Sequence, residues 1–300
     1  MVVHKTKGVK MSIYHVFNKK RKIAGLVLAI LGIFFFTAAT KHKPTAQAIP
    51  SAQSSYDVII FDLGNVLFST KPSAKNKLIA TTLLKNPALL YYLIYFDVKT
   101  EYFNFLHSVP ASGKNIIFHE SKPMPAIMAD WQTGLSNGNE IIATITAHLP
   151  TTNHPIAVQN LFAAIASFMF TAQTLADCQQ PIPCMVHMAQ ALKNAGYKLF
   201  VLSNWDELSF ALVQKQHEQI FNLFDGILIS GQEKIAKPNQ EFFQRLFSKF
   251  NINPTTSIFI DDEPANLEAA QELGLSVILC DKPASVTQGL INLGVVKYTS

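Results

Sequence analysis

This sequence predicts an α/β fold: an open parallel sheet interrupted by a long helical insertion and preceded by an N-terminal hydrophobic segment. Three observations carry that reading. Short apolar runs of strand length recur at 57–61, 197–202, 226–229, 257–260 and 276–280, and they are continuous rather than alternating, the pattern of strands covered on both faces. Helical patterns separate the later runs, and such strand–helix alternation builds a parallel, Rossmann-like sheet. The third observation is a gap. Residues 71–180 hold no comparable strand series and read as a helical insertion that leaves the sheet after its first strand and re-enters before its second.

In chain order, residues 1–22 form a basic segment ending in Lys19-Lys20-Arg21-Lys22, and the 18 residues Ile23–Thr40 follow without a charge. That stretch suits a membrane span or the apolar region of a signal peptide. Only Lys41 and Lys43 flank its far side, so the N-terminus is expected inside and the remainder outside the cytoplasm. Ala46-Gln47-Ala48 is a candidate cleavage site, so cleaved signal and retained anchor both stay open. Residues 41–55, rich in Ala, Ser, Gln, Pro and Thr, read as a flexible tether.

The tail also accounts for the net charge of +5. Residues 1–50 hold nine Lys/Arg and no Asp/Glu, which leaves 16 basic against 20 acidic residues in the remainder, a net of −4. That balance gives nucleic acid no footing as a partner. The three cysteines fit either redox compartment: Cys178 and Cys184 are spaced to close a short loop in an exported domain, with three free thiols as the alternative. The nine histidines show no metal-ligand spacing.

The α/β core is expected over 56–70 and 181–300. Within the insertion, Leu89–Phe96 and Leu161–Phe170 are aromatic-rich, and their spacing favours packing core over pocket lining or, for 161–170, membrane contact. After it, residues 184–194 form a helix that stops at Ala195-Gly196. Pro238 opens a helix with Phe242, Phe243, Leu246, Phe247 and Phe250 at helical spacing. Pro264 opens another, with Leu267, Ala270 and Leu273 on one face and Gly274 past its end.

The chemistry sits where these strands end. The first run stops on Asp62, and Gly64 two residues later lets the backbone turn tightly. Ser203-Asn204 follow the second run, Lys237-Pro238 lie beyond the third, and Asp261-Asp262 end the fourth. Open α/β sheets bind ligands at this edge. Three carboxylates converging there repel one another unless a cation is present, and Mg²⁺ suits their oxygens. Lys237 and Ser203 add a charge and a hydroxyl for a phosphoryl group, with Asn204 beside them. Asp62 is then free to attack phosphorus and form an aspartyl-phosphate. Each residue alone has a plainer reading as cap, turn former or solvated side chain; their joint order carries the argument.

At these positions the chain resembles the haloacid dehalogenase superfamily. Asp62-Leu63-Gly64-Asn65-Val66 is similar to its first motif, Ser203 to its second, Lys237 to its third, and Asp261-Asp262 with Asn266 to its fourth. The insertion occupies the place of that superfamily's helical cap. The resemblance implies Asp62 as nucleophile and magnesium ligand, a Gly64 backbone carbonyl on the metal, Asp262 as a direct ligand and Asp261 as a closer or water-mediated partner. It further implies that Lys237 holds nucleophile and phosphate together, with Asn266 bracing the loop. Two positions depart from the pattern: Gly64 stands where most of its phosphatases carry a general-acid Asp, and Cys184 stands where Pro-x-Pro-Gly has glycine.

The function expected is therefore a Mg²⁺-dependent phosphatase of a small phosphorylated metabolite, exported or membrane-anchored. A dehalogenase using Asp62 on carbon is the competing enzyme reading, disfavoured by the adjacent Asp261-Asp262. A catalytically weakened binding protein is the alternative that Gly64 keeps open.

Overall fold

The computed structural model describes residues 48–50, 55–85, 87, 92 and 97–298. The basic segment, the hydrophobic segment 23–40 and most of the aromatic stretch 89–96 lie outside them. Chain order runs β1 (Ala48–Pro50), β2 (Val58–Phe61) and β3 (Phe68–Thr70) into the insertion. The insertion holds α1 (Pro72–Lys85), α2 (Val98–Ser108), the strands β4 (Phe118–His119) and β5 (Lys122–Pro123), then α3 (Ala126–Gln132), α4 (Gly138–His148), α5 (Ile156–Phe170) and α6 (Ala172–Cys178). β6 (Gln179–Pro181) returns the chain to the core. There α7 (Pro183–Asn194), β7 (Lys198–Ser203), α8 (Glu207–Gln216), β8 (Gly226–Ile229), α9 (Gln240–Phe250), β9 (Ser257–Asp261), α10 (Pro264–Glu272), β10 (Ser276–Leu279), α11 (Pro283–Asn292) and β11 (Val296–Tyr298) follow.

Five strands form one parallel sheet in the order β10-β9-β2-β7-β8. The chain moves outward from β2 to β7 and β8, then crosses to the other side of β2 for β9 and β10. That reversal puts a topological switch point at β2, the place where such sheets open a ligand crevice. The continuous apolar runs have the expected cause. Ile59, Phe61, Leu199, Val201 and Ile260 pack on one face against Met185, Ala189 and Leu192 of α7. Val58, Ile60, Phe200, Leu202 and Phe259 pack on the other against Phe242, Phe243 and Leu246 of α9. The sheet is buried on both sides.

The helix read as starting at Pro238 starts at Gln240, because the Asn239 side chain accepts from Glu241 N–H and caps it there. Gly226 at the start of β8 is required by close approach: a Cβ there would fall 2.4 Å from the Phe250 ring.

Two expectations need correction, and one open alternative is decided. Residues 48–50, inside the segment read as a tether, pair antiparallel with β11, Ala48 opposite Tyr298 and Pro50 opposite Val296. The cap is not purely helical, since β4 and β5 form a two-residue ladder whose turn carries Glu120 and Ser121 at positive φ. Of the two cysteine readings left open, the one without a bridge between Cys178 and Cys184 holds: Cys184 is an exposed free thiol, and Cys280 a buried one.

The cap has its own core, in which Tyr102, Phe105, Ile141, Ile145, Leu161, Phe162 and Phe170 meet. The 161–170 stretch is therefore largely packing, as its spacing predicted. Among the described residues no single helix is long and apolar enough to cross a membrane. The antiparallel ladder between β3 and β6 ties the two strands of chain that enter and leave the cap.

Candidate active site

β2 ends at Phe61, and the next residue, Asp62, stands beyond the sheet edge with its N–H on Ile260 O at 2.9 Å. The residue is only 6% exposed. The loop after β8 brings Lys237 up beneath it. Lys237 is 1% exposed and its Nζ donates to Asp62 Oδ1 at 2.7 Å and to Asp261 Oδ2 at 2.5 Å. Burial alone would lower the lysine's pKa, but the charges of Asp261 and Asp62 outweigh it and the pKa is raised. Lys237 is thus fixed as an ammonium between two carboxylates. Asn204 holds it in place, since Asn204 Nδ2 donates to Lys237 O and Lys237 N–H donates to Asn204 Oδ1, both at 2.9 Å.

Asp261 and Asp262 are adjacent but differently employed. Asp261 faces inward. Besides Lys237 it accepts, at Oδ1, from Glu263 N–H at 2.8 Å and Asn266 Nδ2 at 3.0 Å. Burial pushes its pKa up, to about 7, against the pull of Lys237. Asp262 lines the cavity and accepts from Asn65 Nδ2 at 2.8 Å. Its pKa is raised by burial and then by the charge of Asp62. Asn65 reaches it from a left-handed backbone, φ 53°, a conformation Asn tolerates better than most residues.

Two sequence expectations change on this geometry. Asp261, placed among the metal partners, has both oxygens engaged by protein donors. Asn204, placed on the phosphate, has its amide engaged by the Lys237 backbone. Ser203 is buried at the end of β7, while its neighbours Asn204 and Trp205 line the cavity. Gly64 also lines it, and a Cβ there would meet nothing closer than Asp62 Oδ2 at 3.7 Å, so space does not demand glycine.

The donor set fits a small hard cation. Among the described residues no three His, Cys, Asp or Glu side chains form a metal cage. With Asp261 turned away, two carboxylates remain, and Mg²⁺ characteristically binds through one or two carboxylates and keeps several waters. Burial and then the charge of Asp62 raise the Asp262 pKa, and such an ion would relieve the second of these. Asn266 Oδ1, buried beside it without a partner, is an acceptor suited to a metal-bound water.

The sequence match agrees with this edge. A family model described as haloacid dehalogenase-like hydrolase matches residues 56–274. The chain belongs to that family. It is an enzyme, and a hydrolase. Among curated proteins it is similar to a sesquiterpene phosphatase of Aspergillus oryzae, 29% identical over 105 residues, covering 35% of this chain and 53% of that one. It is also similar to flavin mononucleotide hydrolase 1 of Arabidopsis thaliana, 32% identical over 59 residues, covering 20% of this chain and 24% of the other. The chain spans about half or less of the length of these relatives. Among solved structures, a haloacid dehalogenase family enzyme of Bacteroides thetaiotaomicron in its magnesium complex is 17% identical, with a TM-score of 0.49 over 75% of this chain and 93% of that one.

The cap closes the site through residues that sequence reasoning missed. Glu263 accepts from Ser121 N–H of the β4–β5 turn at 3.1 and 3.2 Å. Ser230 Oγ donates to Gln132 O at 2.6 Å, and Lys234 Nζ to Gly134 O at 3.0 Å. Phe118 and His119 of β4 thereby line the same cavity as Asp62. No local signal marks them, since a two-residue strand has no period to read.

Proposed function

We propose that this hydrolase is a Mg²⁺-dependent phosphatase of phosphomonoesters that works through an aspartyl-phosphate on Asp62. The observation that carries the reading is the Lys237 ammonium, buried between Asp62 and Asp261 and opening toward a cavity that Asp262 also lines. Asp62, Asp262 and the Gly64 carbonyl would hold the metal, with Asn266 Oδ1 accepting from its water. When bound, the ion neutralises carboxylate and phosphoryl charge.

The protein's own residues do the rest. Lys237 occupies Asp62 Oδ1, which leaves Oδ2 to form the bond to phosphorus as the phosphorus–oxygen bond to the alcohol breaks. Lys237 also lies beside the phosphoryl oxygens, whereas Ser203, buried outside the cavity lining, supports the end of β7. Gly64 provides no acid for the departing alkoxide, so the proton comes from water or from the cap, where His119 lines the cavity. Water then attacks phosphorus, the bond to Asp62 breaks, and phosphate leaves. Asp261 acts through Lys237, as a positioning residue.

A phosphatase among its relatives supports this reading over carbon–halogen cleavage, as does a second carboxylate, Asp262, beside the nucleophile. Membrane attachment or export through residues 23–40, with the catalytic domain outside the cytoplasm, belongs to the same proposal and is tested by fractionation of the full chain. The activity is tested by phosphate release from a panel of phosphomonoesters with Mg²⁺, with EDTA, and with Asp62→Asn. Release that falls to background under both EDTA and Asp62→Asn is expected. Release that survives either one overturns the mechanism.

A further inference from the structure

The cavity beneath the cap has a volume of about 600 Å³, a size that takes a drug-sized ligand. Its two ends differ in kind. Asp62, Asp206, Asp262, Lys237 and Glu263 stand at the sheet edge. The cap wall is made of Phe103, Phe118, Met124, Met128, Phe168 and Met169 with their apolar neighbours. Among the described lining residues that wall carries no lysine, arginine, aspartate or glutamate, and His119 is its one titratable nitrogen base.

Helix α5 explains how the wall arises. Leu161, Phe162, Ala166 and Phe170 pack into the cap core, whereas Ile165, Phe168 and Met169, spaced at i, i+3 and i+4, line the cavity. One helix thus carries a buried stripe and a second that faces the site, of which Ile165 and Met169 also pack against the cap core and Phe168 does not. Phe168 and Phe118 belong to no core cluster of the described residues, so packing does not account for them. The three methionines add a surface that adapts to different hydrocarbon shapes. Polar groups on this wall are few. Gln179 Nε2 donates to Leu175 O, Gln132 Oε1 is a buried acceptor without a partner, and Ser69 and Thr70 line the cavity where the chain enters the cap, which is a thin polar set for a polyol.

We infer that the substrate is the phosphomonoester of a hydrocarbon alcohol, its phosphate at Asp62 and Lys237 and its apolar chain under the cap against Phe168 and Phe118. The inference rests on the phosphatase reading for its phosphate end only. A sugar phosphate would bury most of its hydroxyls against phenylalanine and methionine with few partners, and a nucleotide or coenzyme with further phosphates would find no cation on the cap wall.

The test has two arms. In the first, phosphate release with Mg²⁺ is measured for butyl, octyl and farnesyl phosphate and for glucose 6-phosphate. Octyl phosphate is expected to exceed butyl phosphate at least tenfold in kcat/KM, since each buried methylene is worth up to about fourfold. Glucose 6-phosphate is expected to be the poorest, and the farnesyl-to-octyl ratio separates branched from linear chains. In the second arm, calorimetry compares butyl- and octylphosphonate, which bind without turnover. Tighter binding of octylphosphonate with no release from any ester would sink the phosphatase reading and keep the hydrocarbon end. Equal binding of the two phosphonates, or faster release from glucose 6-phosphate than from octyl phosphate, overturns the inference. Phe168→Ala is expected to cut the octyl-to-butyl ratio at least fivefold. Phe118→Ala, on a separate element, gives the same reading should the helix variant fail to fold.

Discussion

The sheet edge and the cap wall bound one cavity and are built on opposite principles. At the edge a lysine and two aspartates are buried together, each satisfied by the others. On the cap wall phenylalanine, methionine and isoleucine face the same space with almost no polar chemistry. The edge is fixed by directional bonds that tolerate little substitution; the wall is held by non-directional burial that tolerates much. One region therefore carries reaction chemistry and the other carries recognition, and they should fail differently when altered.

The sharpest way to break this comparison is Lys237→Met. It leaves Asp62 and Asp261 buried without their cation, at an expected cost of ~3–5 kcal/mol in denaturant unfolding at neutral pH, with loss of phosphate release. Part of that stability should return in acid. Asp261 already binds its proton more tightly folded than unfolded, and an acid of that kind loses stability as pH rises above its unfolded value and regains it as pH falls. A variant as stable as wild type at pH 7 would mean the edge is not held by charge.

A smaller effect separates acid catalysis from recognition. His119→Ala is expected to lower kcat for alkyl phosphates ~100-fold while changing release from p-nitrophenyl phosphate, whose leaving group needs no proton, far less. Equal losses on both substrates would make His119 part of the wall alone.

The smallest expected change lies away from the cavity, at Asp225. Burial alone would raise its pKa, but Lys193 Nζ at 2.7 Å and Leu199 N–H at 2.8 Å outweigh that and lower it. Its contribution is therefore present above the unfolded carboxylate value and vanishes as pH falls through the folded one. Asp225→Asn should cost ~0.5 kcal/mol at pH 7 and nothing in strong acid, read from urea midpoints. A loss as large as that of Lys237→Met would erase the distinction between buried and exposed ion pairs on which the comparison stands.

The sequence by itself determined the sheet. Runs such as Asp57–Phe61 and Ser257–Ile260 are short, apolar and bounded, and burial on both faces leaves a strand no other pattern. Strand ends then fixed where Asp62, Lys237 and Asp261-Asp262 had to converge. Tertiary structure alone decided the partners. That Asp261 turns to Lys237 while Asp262 faces the cavity depends on which donors, Asn266, Glu263 N–H and Asn65, reach each carboxylate. That Asn204 braces a backbone depends on a loop 33 residues away. The split of α5 into a core stripe and a cavity stripe was equally hidden, because Phe162 and Phe168 are alike in sequence and differ only in what stands opposite them. Periodicity records which residues avoid water; only the assembled chain decides whether they meet one another or a ligand.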